Sequence, residues 1–382
     1  MLKTERPNEV LNILVSYLPV PKKIGEMKTK PTQYAARTLN TAGIQPDIII
    51  ARSSLSLDNV RKRKISIFCN VNEHDVISAP DVASIYEVPV NFEKDKLGER
   101  ILNKFGLKKT KKDFKKWNAL VKKIKNENLS SVKIGIVGKY FSSGEFILSD
   151  SYISVIEAVK HASWANGKKP EITWLNAEKY EKNPRALSEL KDFGGIIVPG
   201  GFGSRGVEGK IKVINYARKN NIPFLGLCYG LQLAVVEFAR NASGIKKAHT
   251  IEVDKKTKFP VVNIMDEQLQ NLSQKHMGAT MRLGGYVCEI KNDSTANKLY
   301  GTNMVSERHR HRYEVNNKYL PELEKAGLVV SGVNPNKNLV EIIELPKNKH
   351  RFFMATQFHP ELKSRPLSPH PIFMGFIKEA SK

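Results

Sequence analysis

Apolar positions along residues 131–382 predict an ordered α/β domain. Runs of strand length alternate there with longer segments in which apolar residues recur at helical spacing. The predicted strands span 132–140, 194–200, 222–227 and 351–356, and the predicted helices span 150–165, 208–220 and the segment after 228 to about 241. Strands alternating with helices predict a mostly parallel sheet that helices cover on both faces.

Residues 1–107 show the same kind of pattern with fewer elements. Strand-like runs lie at 11–17, 47–51 and 65–70, and a helical stretch lies near 32–42. So few elements make a thin core for an independent domain. We therefore interpret this region as a partial α/β unit.

A lysine-rich segment, residues 108–130, separates the two regions. Between Lys108 and Lys125 there are nine lysines and one acid, Asp113. Apolar residues recur at helical spacing within it, at Phe114, Trp117, Leu120, Val121 and Ile124. This pattern predicts an amphipathic linker helix with a solvated basic face. Part of the net charge of +24 lies here, and nucleic-acid binding is disfavoured because no recognised nucleic-acid-binding motif accompanies the charge.

Composition narrows the class of protein. The longest apolar runs fall short of the roughly 20 residues that span a bilayer, and the N-terminus lacks a signal-peptide pattern. We therefore expect a cytoplasmic protein that does not bind a membrane. The three cysteines, Cys69, Cys228 and Cys288, lie far apart without a CxxC pair, which favours neither a disulfide framework nor a zinc site.

Cys228 is the strongest candidate for chemistry. It lies in Gly226-Leu227-Cys228-Tyr229-Gly230, directly after an apolar strand and before a predicted helix. This is the nucleophile-elbow arrangement, with sulfur in place of the usual serine oxygen. The glycines suit a turn with no room for side chains, and the helix N-terminus favours the reactive thiolate. A buried structural cysteine is the alternative interpretation.

His359 and Glu361 are the candidate base and orienting group. They follow the strand 351–356 and lie two residues apart, so extended chain projects both to one side. His359 would take the thiol proton, and Glu361 would hold the imidazole tautomer. A third element is the turn 198–203, where the backbone N–H of Gly201, together with that of Tyr229, would bind an oxyanion.

Three other segments have competing interpretations. Residues 201–206 match the dinucleotide pattern GxGxxG, but the next strand ends at Cys228 and lacks the acidic residue which that fingerprint requires. Residues 307–314 alternate arginine and histidine, which suits binding of a carboxylate better than a metal. Residues 28–33 offer two lysines and hydroxyl donors before a helix, as a phosphate or nucleotide site or as a charged surface loop.

Taken together, these motifs resemble those of a known family. GLCYGLQ, VPGGFG and QFHPE resemble the triad-type, class I glutamine amidotransferases. GEMKTKPTQ, GIQPDIII, IFCNV, SIYEVP, VGKY, GGFGSRGVEG, TMRLG and ERHRHRYEVN resemble the CTP synthase family, in order over almost the whole chain. The resemblance implies the C-terminal part of a synthetase domain, a partial unit of the P-loop-NTPase-like amidoligase class, over 1–107. It implies a lysine-rich linker helix over 108–130 and a class I glutamine amidotransferase domain over 131–382.

The resemblance also implies an activity, ligands and site residues. It implies amination of UTP to CTP with ATP, magnesium and ammonia from glutamine, in a homo-oligomer that is tetrameric in the family, and it leaves GTP open as an activator. The implied triad is Cys228, His359 and Glu361. The implied glutamine-binding residues are Gly201, Tyr229, Gly230, Leu231, Gln232, Glu252 and Arg312. The implied UTP and CTP positions are Lys28, Thr29, Lys30, Pro31, Thr32, Gln33 and Lys64, and those for the ATP base are Asp81 and Val82.

One departure from the family leads to a further expectation. The family's phosphate loop and acidic magnesium ligands would precede residue 28, and neither is recognisable here. We therefore expect the chain to be a fragment or to depend on a second chain for the synthetase reaction, with no metal ligands of its own. Two alternatives stay open: a glutaminase or amidotransferase subunit for another acceptor, and a non-catalytic regulator that binds nucleotides or nucleic acid.

Overall fold

The computed structural model describes residues 1–23, 25–109, 113–138, 142–143, 146–147, 152–264 and 281–382. The chain forms two compact units, Met1–Lys125 and Asn126–Lys382. Among the described residues, no helix is both long enough and apolar enough to cross a membrane.

The first unit is built on a parallel sheet of three strands, in the order β1-β2-β3. The strands are β1 (Ile13–Tyr17), β2 (Ile48–Ser53) and β3 (Val76–Pro80). Its helices are α1 (Leu2–Glu5), α2 (Lys30–Thr41), α3 (Asn59–Cys69), α4 (Val88–Lys94), α5 (Leu97–Lys104) and α6 (Lys115–Ile124). Buried residues of β2, β3 and α3 form its core, including Ile49, Ala51, Ile65 and Val76.

One predicted strand of this unit is wrong, because residues 65–70 form the end of α3 and its C-cap. Asp58 starts the helix by accepting a hydrogen bond from the backbone N–H of Arg61. Ile65 and Cys69, four residues apart, are buried, whereas Ile67 and Phe68 are exposed. This spacing follows the period of a helix, not that of a strand. The third strand is β3 instead.

The lysine-rich segment forms a shorter helix than predicted. The helix α6 starts at Lys115, and residues 110–112 lie outside the described residues. Leu120 and Val121 are buried, and the indole N–H of Trp117 donates to the carbonyl oxygen of Tyr86. One face of α6 therefore packs on the first unit, as its apolar stripe predicts.

The second unit contains a sheet of nine strands, ordered β13-β12-β15-β16-β17-β9-β8-β4-β7. These strands are β4 (Ser131–Gly138), β7 (Lys169–Asn176), β8 (Gly195–Val198), β9 (Phe224–Leu227), β12 (Arg282–Ile290), β13 (Met304–His311), β15 (Val329–Asn334), β16 (Leu339–Glu344) and β17 (Phe353–Thr356). Five of them, from β17 to β7, run parallel, and the other four extend the sheet antiparallel.

Smaller elements complete this unit. The strands β10 (His249–Thr250), β11 (Pro260–Ile264) and β14 (Tyr313–Val315) form a small separate sheet, and β5 (Ser142–Ser143) pairs with β6 (Phe146–Ile147). The helices are α7 (Ile153–Ala165), α8 (Ala177–Lys182), α9 (Val207–Lys219), α10 (Tyr229–Asn241), α11 (Thr295–Tyr300), α12 (Leu320–Lys325) and α13 (Pro371–Ala380). The predicted start of α7 at 150 and the predicted end of β4 at 139–140 lie outside the described residues.

Helices cover both faces of the large sheet, as predicted. Ile196 and Val198 of β8 pack into a core with α9 and α10, whereas Ile197, between them, packs into a second core with α7 and α13. Successive strand residues point to opposite faces, so two apolar cores form from one continuous sheet.

Candidate active site

The turn between β9 and α10 holds Cys228 in an unusual backbone conformation, with φ 51° and ψ −100°. Its N–H donates to the carbonyl oxygen of Thr356 at 2.7 Å. Glycine is required beside it, because a Cβ on Gly230 would lie 2.1 Å from the carbonyl oxygen of Val198, and one on Gly226 would lie 2.8 Å from the Cβ of Ala355. The close packing of neighbouring strands therefore supports the strained turn.

His359 and Glu361 lie at the same edge of the sheet as Cys228. The strands β9 and β17 are parallel neighbours, with Thr356 opposite Leu227, so the residues that follow them meet. The Nδ1 of His359 lies 2.7 Å from the Oε1 of Glu361. Because Nδ1 faces a carboxylate, it carries a proton in both the neutral and the charged imidazole.

The electrostatics of His359 favour a charged imidazole. Burial opposes that form, but the negative charges at Cys228 and Glu361 outweigh burial and raise the pKa of His359 well above its ordinary value. Such an imidazolium stabilises a thiolate beside it. The hydrogen bonds of His359 with Cys228 and with Glu361 raise the same pKa further.

Cys228 and His359 open into one cavity of about 730 Å³. The cavity is lined by Tyr152, Gly200, Gly201, Phe202, Cys228, Gln232, Glu252, Met281, Arg310, His311, Arg312, Tyr313 and His359. The predicted residues Gly201, Gln232, Glu252 and Arg312 are among them. Glu361 lies behind His359, while Tyr229, Gly230 and Leu231 do not line the cavity and are buried in α10.

One acidic side chain, Glu252, and two arginines, Arg310 and Arg312, line this cavity. Glu252 accepts a hydrogen bond from the N–H of Gly203 at 2.7 Å, and the hydroxyl of Tyr229 donates to the carbonyl oxygen of the same glycine at 2.8 Å. Burial, and then the charge of Glu252, raise the pKa of Tyr229 and keep that hydroxyl protonated. Together with Arg312, Glu252 gives the cavity the charge pattern that complements a free amino acid.

The glycine turn after β8 approaches the candidate triad closely. A Cβ on Gly200 would lie 2.9 Å from the Cε1 of His359 and 3.7 Å from the Cβ of Cys228. A Cβ on Gly201 would meet only ordinary contacts, the nearest being the Nζ of Lys210 at 3.7 Å. The turn therefore brings backbone, without side chains, beside the thiol.

The sequence interpretation missed several residues near the thiol. The Nε2 of Gln357 lies 3.7 Å from the Sγ of Cys228, and the carbonyl oxygen of Arg310 lies 3.9 Å from it. His311 also lines the cavity. The alternation in residues 307–311 was the available signal, since Glu307, His309 and His311 are buried while the arginines between them are exposed.

In the first unit, the predicted nucleotide residues lie on several elements. The Nζ of Lys28 donates to Glu26 at 2.7 Å, and this hydrogen bond is the main cause that lowers the pKa of Glu26, to which the charge of Lys64 contributes less. Lys28 to Gln33 span the start of α2, where Thr29 is the N-cap and Thr32 is buried. Asp81 and Val82 follow the end of β3, and Asp81 lies 3.8 Å from Arg52.

The chain is similar to proteins of a known family. The family model for glutamine amidotransferase class-I matches residues 147–379, and the model for CTP synthase N-terminus matches residues 1–107. CTP synthase of Thermococcus gammatolerans is 49% identical over 377 residues, covering 98% of this chain and 68% of the relative. The chain belongs to the CTP synthase family. It is therefore a ligase that hydrolyses glutamine in pyrimidine biosynthesis.

Other relatives of the family agree. CTP synthase of Sulfolobus acidocaldarius is 46% identical over 380 residues, covering 100% of this chain and 70% of the relative. A solved structure of the glutaminase domain of Trypanosoma brucei CTP synthase with bound acivicin is 40% identical, with a TM-score of 0.60 over 66% of this chain and 94% of that one.

The match of residues 1–107 bears on the expected truncation. The family model for the N-terminus of CTP synthase matches this chain, so the expectation that the N-terminal part of the synthetase domain, with its phosphate loop, is missing is not supported. The family uses ATP and magnesium. Among the described residues, no group of three or more histidine, cysteine or acidic side chains could hold a metal ion.

Proposed function

We propose that the second unit hydrolyses glutamine with Cys228 as nucleophile, His359 as acid and base, and Glu361 as orienting group, and so supplies the ammonia for CTP synthesis. The observation that carries this proposal is the strained cysteine beside the imidazole–carboxylate pair in one cavity. A Cys–His–carboxylate arrangement of this kind is suited to acyl transfer.

The mechanism follows from the roles of the three side chains. The thiolate sulfur attacks the side-chain amide carbon of glutamine, and the C–N bond breaks as His359 gives its proton to the leaving ammonia. Water then attacks the glutamyl thioester, with His359 as the base. The C–S bond breaks, glutamate leaves and the thiolate returns. Glu361 stabilises the imidazolium in both steps and receives no proton.

Binding of glutamine is proposed to use opposite charges at the two ends of its amino-acid group. Glu252 would pair with the ammonium group and Arg312 with the carboxylate, which a peptide amide lacks. Gly201 and Tyr229 would provide backbone N–H groups for the oxyanion. Gly230, Leu231 and Gln232 would form the rest of the binding segment at the start of α10.

The nucleotide sites belong to the first unit in this proposal. The family implies UTP, CTP and ATP as ligands. Lys28, Lys30 and Lys64 would neutralise the phosphates of UTP, or of CTP as inhibitor, and the start of α2 would supply Thr29, Pro31, Thr32 and Gln33. Asp81 and Val82 would contact the ATP base. We propose that 108–130 links this synthetase unit to the amidotransferase domain over 131–382.

The test is glutamate release from glutamine by the wild-type chain and by Cys228→Ala. We expect the substitution to lower kcat by at least about 10³-fold, as loss of a nucleophile does. Cys69→Ala is the matched control, because burial raises the pKa of the Cys69 thiol to about 11 and leaves it unreactive. Full activity of Cys228→Ala would refute the proposal. Formation of CTP after addition of UTP and ATP would distinguish a CTP synthase from a glutaminase that supplies another acceptor.

A further inference from the structure

Behind one wall of the cavity lies a buried charged cluster that the triad does not use. We call it the Arg282 cluster, and it consists of Arg282, His309, His311, Glu314 and Glu341, all of them buried. The Nη1 of Arg282 lies 3.1 Å from Glu314, and its Nη2 lies 2.8 Å from Glu341. A single guanidinium thus faces two carboxyl groups in a region that excludes water.

Hydrogen bonds in the cluster form a chain whose direction is set at one end. The Nδ1 of His311 lies 3.1 Å from the carbonyl oxygen of Tyr313, which can only accept, so Nδ1 carries the proton. The Nε2 of His311 must then accept from the Nδ1 of His309, 2.9 Å away. This leaves the Nε2 of His309 as an acceptor.

That acceptor faces another acceptor. The Nε2 of His309 lies 3.4 Å from the Oε2 of Glu341, and within the described part of the chain neither buried atom has a hydrogen-bond partner. Two lone pairs facing each other in a dry interior repel, whereas one proton between them satisfies both atoms. The same proton balances the charge, because one guanidinium and two carboxylates otherwise sum to −1.

The proton belongs to the carboxyl side of the pair. Burial raises the pKa of Glu341 to about 7, although Arg282 opposes the shift. Burial, followed by the charge of Arg282, lowers the pKa of His309 to about 2. The other titratable groups that act in the cluster are Cys288 on β12, His311 on β13, Glu314 on β14 and His359, whose charge also lowers the pKa of His309 and of His311. Burial and the charge of Glu341 raise the pKa of Glu314 to about 8, so Glu341→Gln removes one of the two causes of that shift.

The cluster holds the segment that forms one wall of the glutaminase site. Residues 310–313 line the cavity where the chain passes from β13 to β14. The carbonyl oxygen of Tyr313, at the end of the histidine chain, also accepts from Gln232 at 2.9 Å. The carbonyl oxygen of Glu341 accepts from the N–H of Gln357 at 2.8 Å, and the side chain of Gln357 in turn lies 3.7 Å from the Sγ of Cys228.

We propose that Glu341 is a positioning residue for glutamine: through His309 and His311 it holds the wall of residues 310–313, with one proton shared between its carboxyl group and His309. The inference rests on the proposed function, because the wall carries Arg312, the proposed partner of the glutamine carboxylate. Loss of the shared proton leaves two acceptors in contact. The wall then shifts, and glutamine binds less tightly while the triad itself is unchanged.

The test compares Glu341→Gln and Glu341→Ala with the wild-type chain over a range of pH. A glutamine amide donates to His309 and accepts from Arg282 with no proton to lose. We expect the KM of the wild-type chain for glutamine to rise by about 10-fold between about pH 6 and about pH 9, and that of Glu341→Gln to stay within about 3-fold. Glu341→Ala should raise KM by about 10-fold at every pH with kcat within about 3-fold.

The matched control is Glu344→Gln, a buried acid on the same strand that accepts from the backbone N–H groups of Thr295 and Ala296 and is not among the cavity-lining residues. It should keep the pH dependence of KM seen in the wild-type chain. If Glu341→Gln also keeps it, or if Glu341→Ala lowers kcat and leaves KM unchanged, Glu341 does not position the wall.

A second readout does not depend on glutaminase activity. A carboxyl group whose pKa is higher in the folded than in the unfolded chain stabilises the folded chain only while it is protonated. The protein therefore loses stability as the pH rises from the unfolded-state pKa of that group through its folded-state pKa. The melting temperature of Glu341→Gln, relative to that of the wild-type chain, should therefore rise between about pH 5 and about pH 8. If the melting temperatures of the two chains differ by the same amount at every pH, Glu341 and His309 do not share a proton. A wild-type chain no more active than Cys228→Ala would instead refute the proposed function, and the melting curves would still decide the proton.

Discussion

At the scale of single residues, the candidate site depends on a cysteine that its surroundings hold in a costly conformation. A non-glycine residue with a φ of 51° and a ψ of −100° costs about 1–3 kcal/mol. The bond from its N–H to Thr356 and the absence of side chains at Gly226 and Gly230 allow the conformation to persist. The strain keeps the thiol at the end of β9 and directed into the cavity that His359 shares.

Gly200 tests how closely the triad must be aligned. The Cβ of Gly200→Ala would lie 2.9 Å from the Cε1 of His359, so the imidazole must move by several tenths of an ångström. We expect glutamate release to fall by about 100-fold, as displaced catalytic groups often cause. The measurement is kcat/KM for glutamine, together with the melting temperature to exclude unfolding.

The control for this substitution is Gly285→Ala, whose added Cβ would approach only the Oγ of Ser306, at 3.3 Å. It should keep activity within about 3-fold of the wild-type chain. Equal activity of Gly200→Ala and Gly285→Ala would mean that the imidazole has room to move without loss, and that its close contact with residue 200 does not limit the chemistry.

Sequence reasoning found the residues whose chemistry is local and missed those that depend on strand pairing. The elbow around Cys228 and the pair His359 and Glu361 were recognisable because each lies within a few residues of chain. Gln357 reaches the thiol because β17 pairs with β9. His311 reaches the cavity although β13 is the edge strand of the sheet, since the N–H of His359 donates to the carbonyl oxygen of Arg308 in β13. That order of strands, not the residue types, decides which side chains converge.

At the scale of elements, the contact between α10 and β8 fixes where the nucleophile lies. The helix approaches the strand so closely that a Cβ on Gly230 would be 2.1 Å from the carbonyl oxygen of Val198. An atom of the main chain cannot rotate away as a side chain can. The start of α10, and with it Cys228, is therefore positioned by backbone contact.

Gly230→Ala tests this contact. We expect the free energy of unfolding to fall by about 2–3 kcal/mol, because the helix must shift away from β8. Denaturant unfolding of the second unit is the measurement. The matched control is Gly201→Ala, whose added Cβ would have no neighbour nearer than 3.7 Å. Its free energy of unfolding should therefore equal that of the wild-type chain. A variant of Gly230 as stable as the control would show that helix and strand are not in contact at this point.

The wrong strand at 65–70 has a physical explanation at the same scale. Apolar residues in that run occur at both helical and strand spacing, so a short window does not distinguish the two. The N-cap Asp58 and the left-handed Asn70, with φ 51°, mark the ends of a helix. These end signals lie outside the apolar run, and a longer window that includes them predicts α3 correctly.

At the scale of the whole molecule, the division into two units assigns the proposed half-reactions to different parts of the chain. The described residues that line the cavity lie between Tyr152 and His359, within the second unit, and so does the Arg282 cluster. The proposed nucleotide residues lie between Lys28 and Val82, within the first. The sequence predicted a boundary at the lysine-rich segment 108–130 and a mostly parallel sheet after it. The four antiparallel strands that extend this sheet lie outside the alternation of strands and helices that gave the prediction.

The second unit, residues 126–382, should hydrolyse glutamine when it is produced alone. Its sheet packs into two apolar cores of its own, and none of the described cavity residues comes from the first unit. We expect kcat/KM for glutamine within about 3-fold of the full chain in the absence of nucleotides, and a single cooperative unfolding transition. The same unit with Cys228→Ala provides the blank. A folded but inactive unit would mean that the proposed glutaminase needs residues 1–125, and would contradict the assignment of the complete site to one unit.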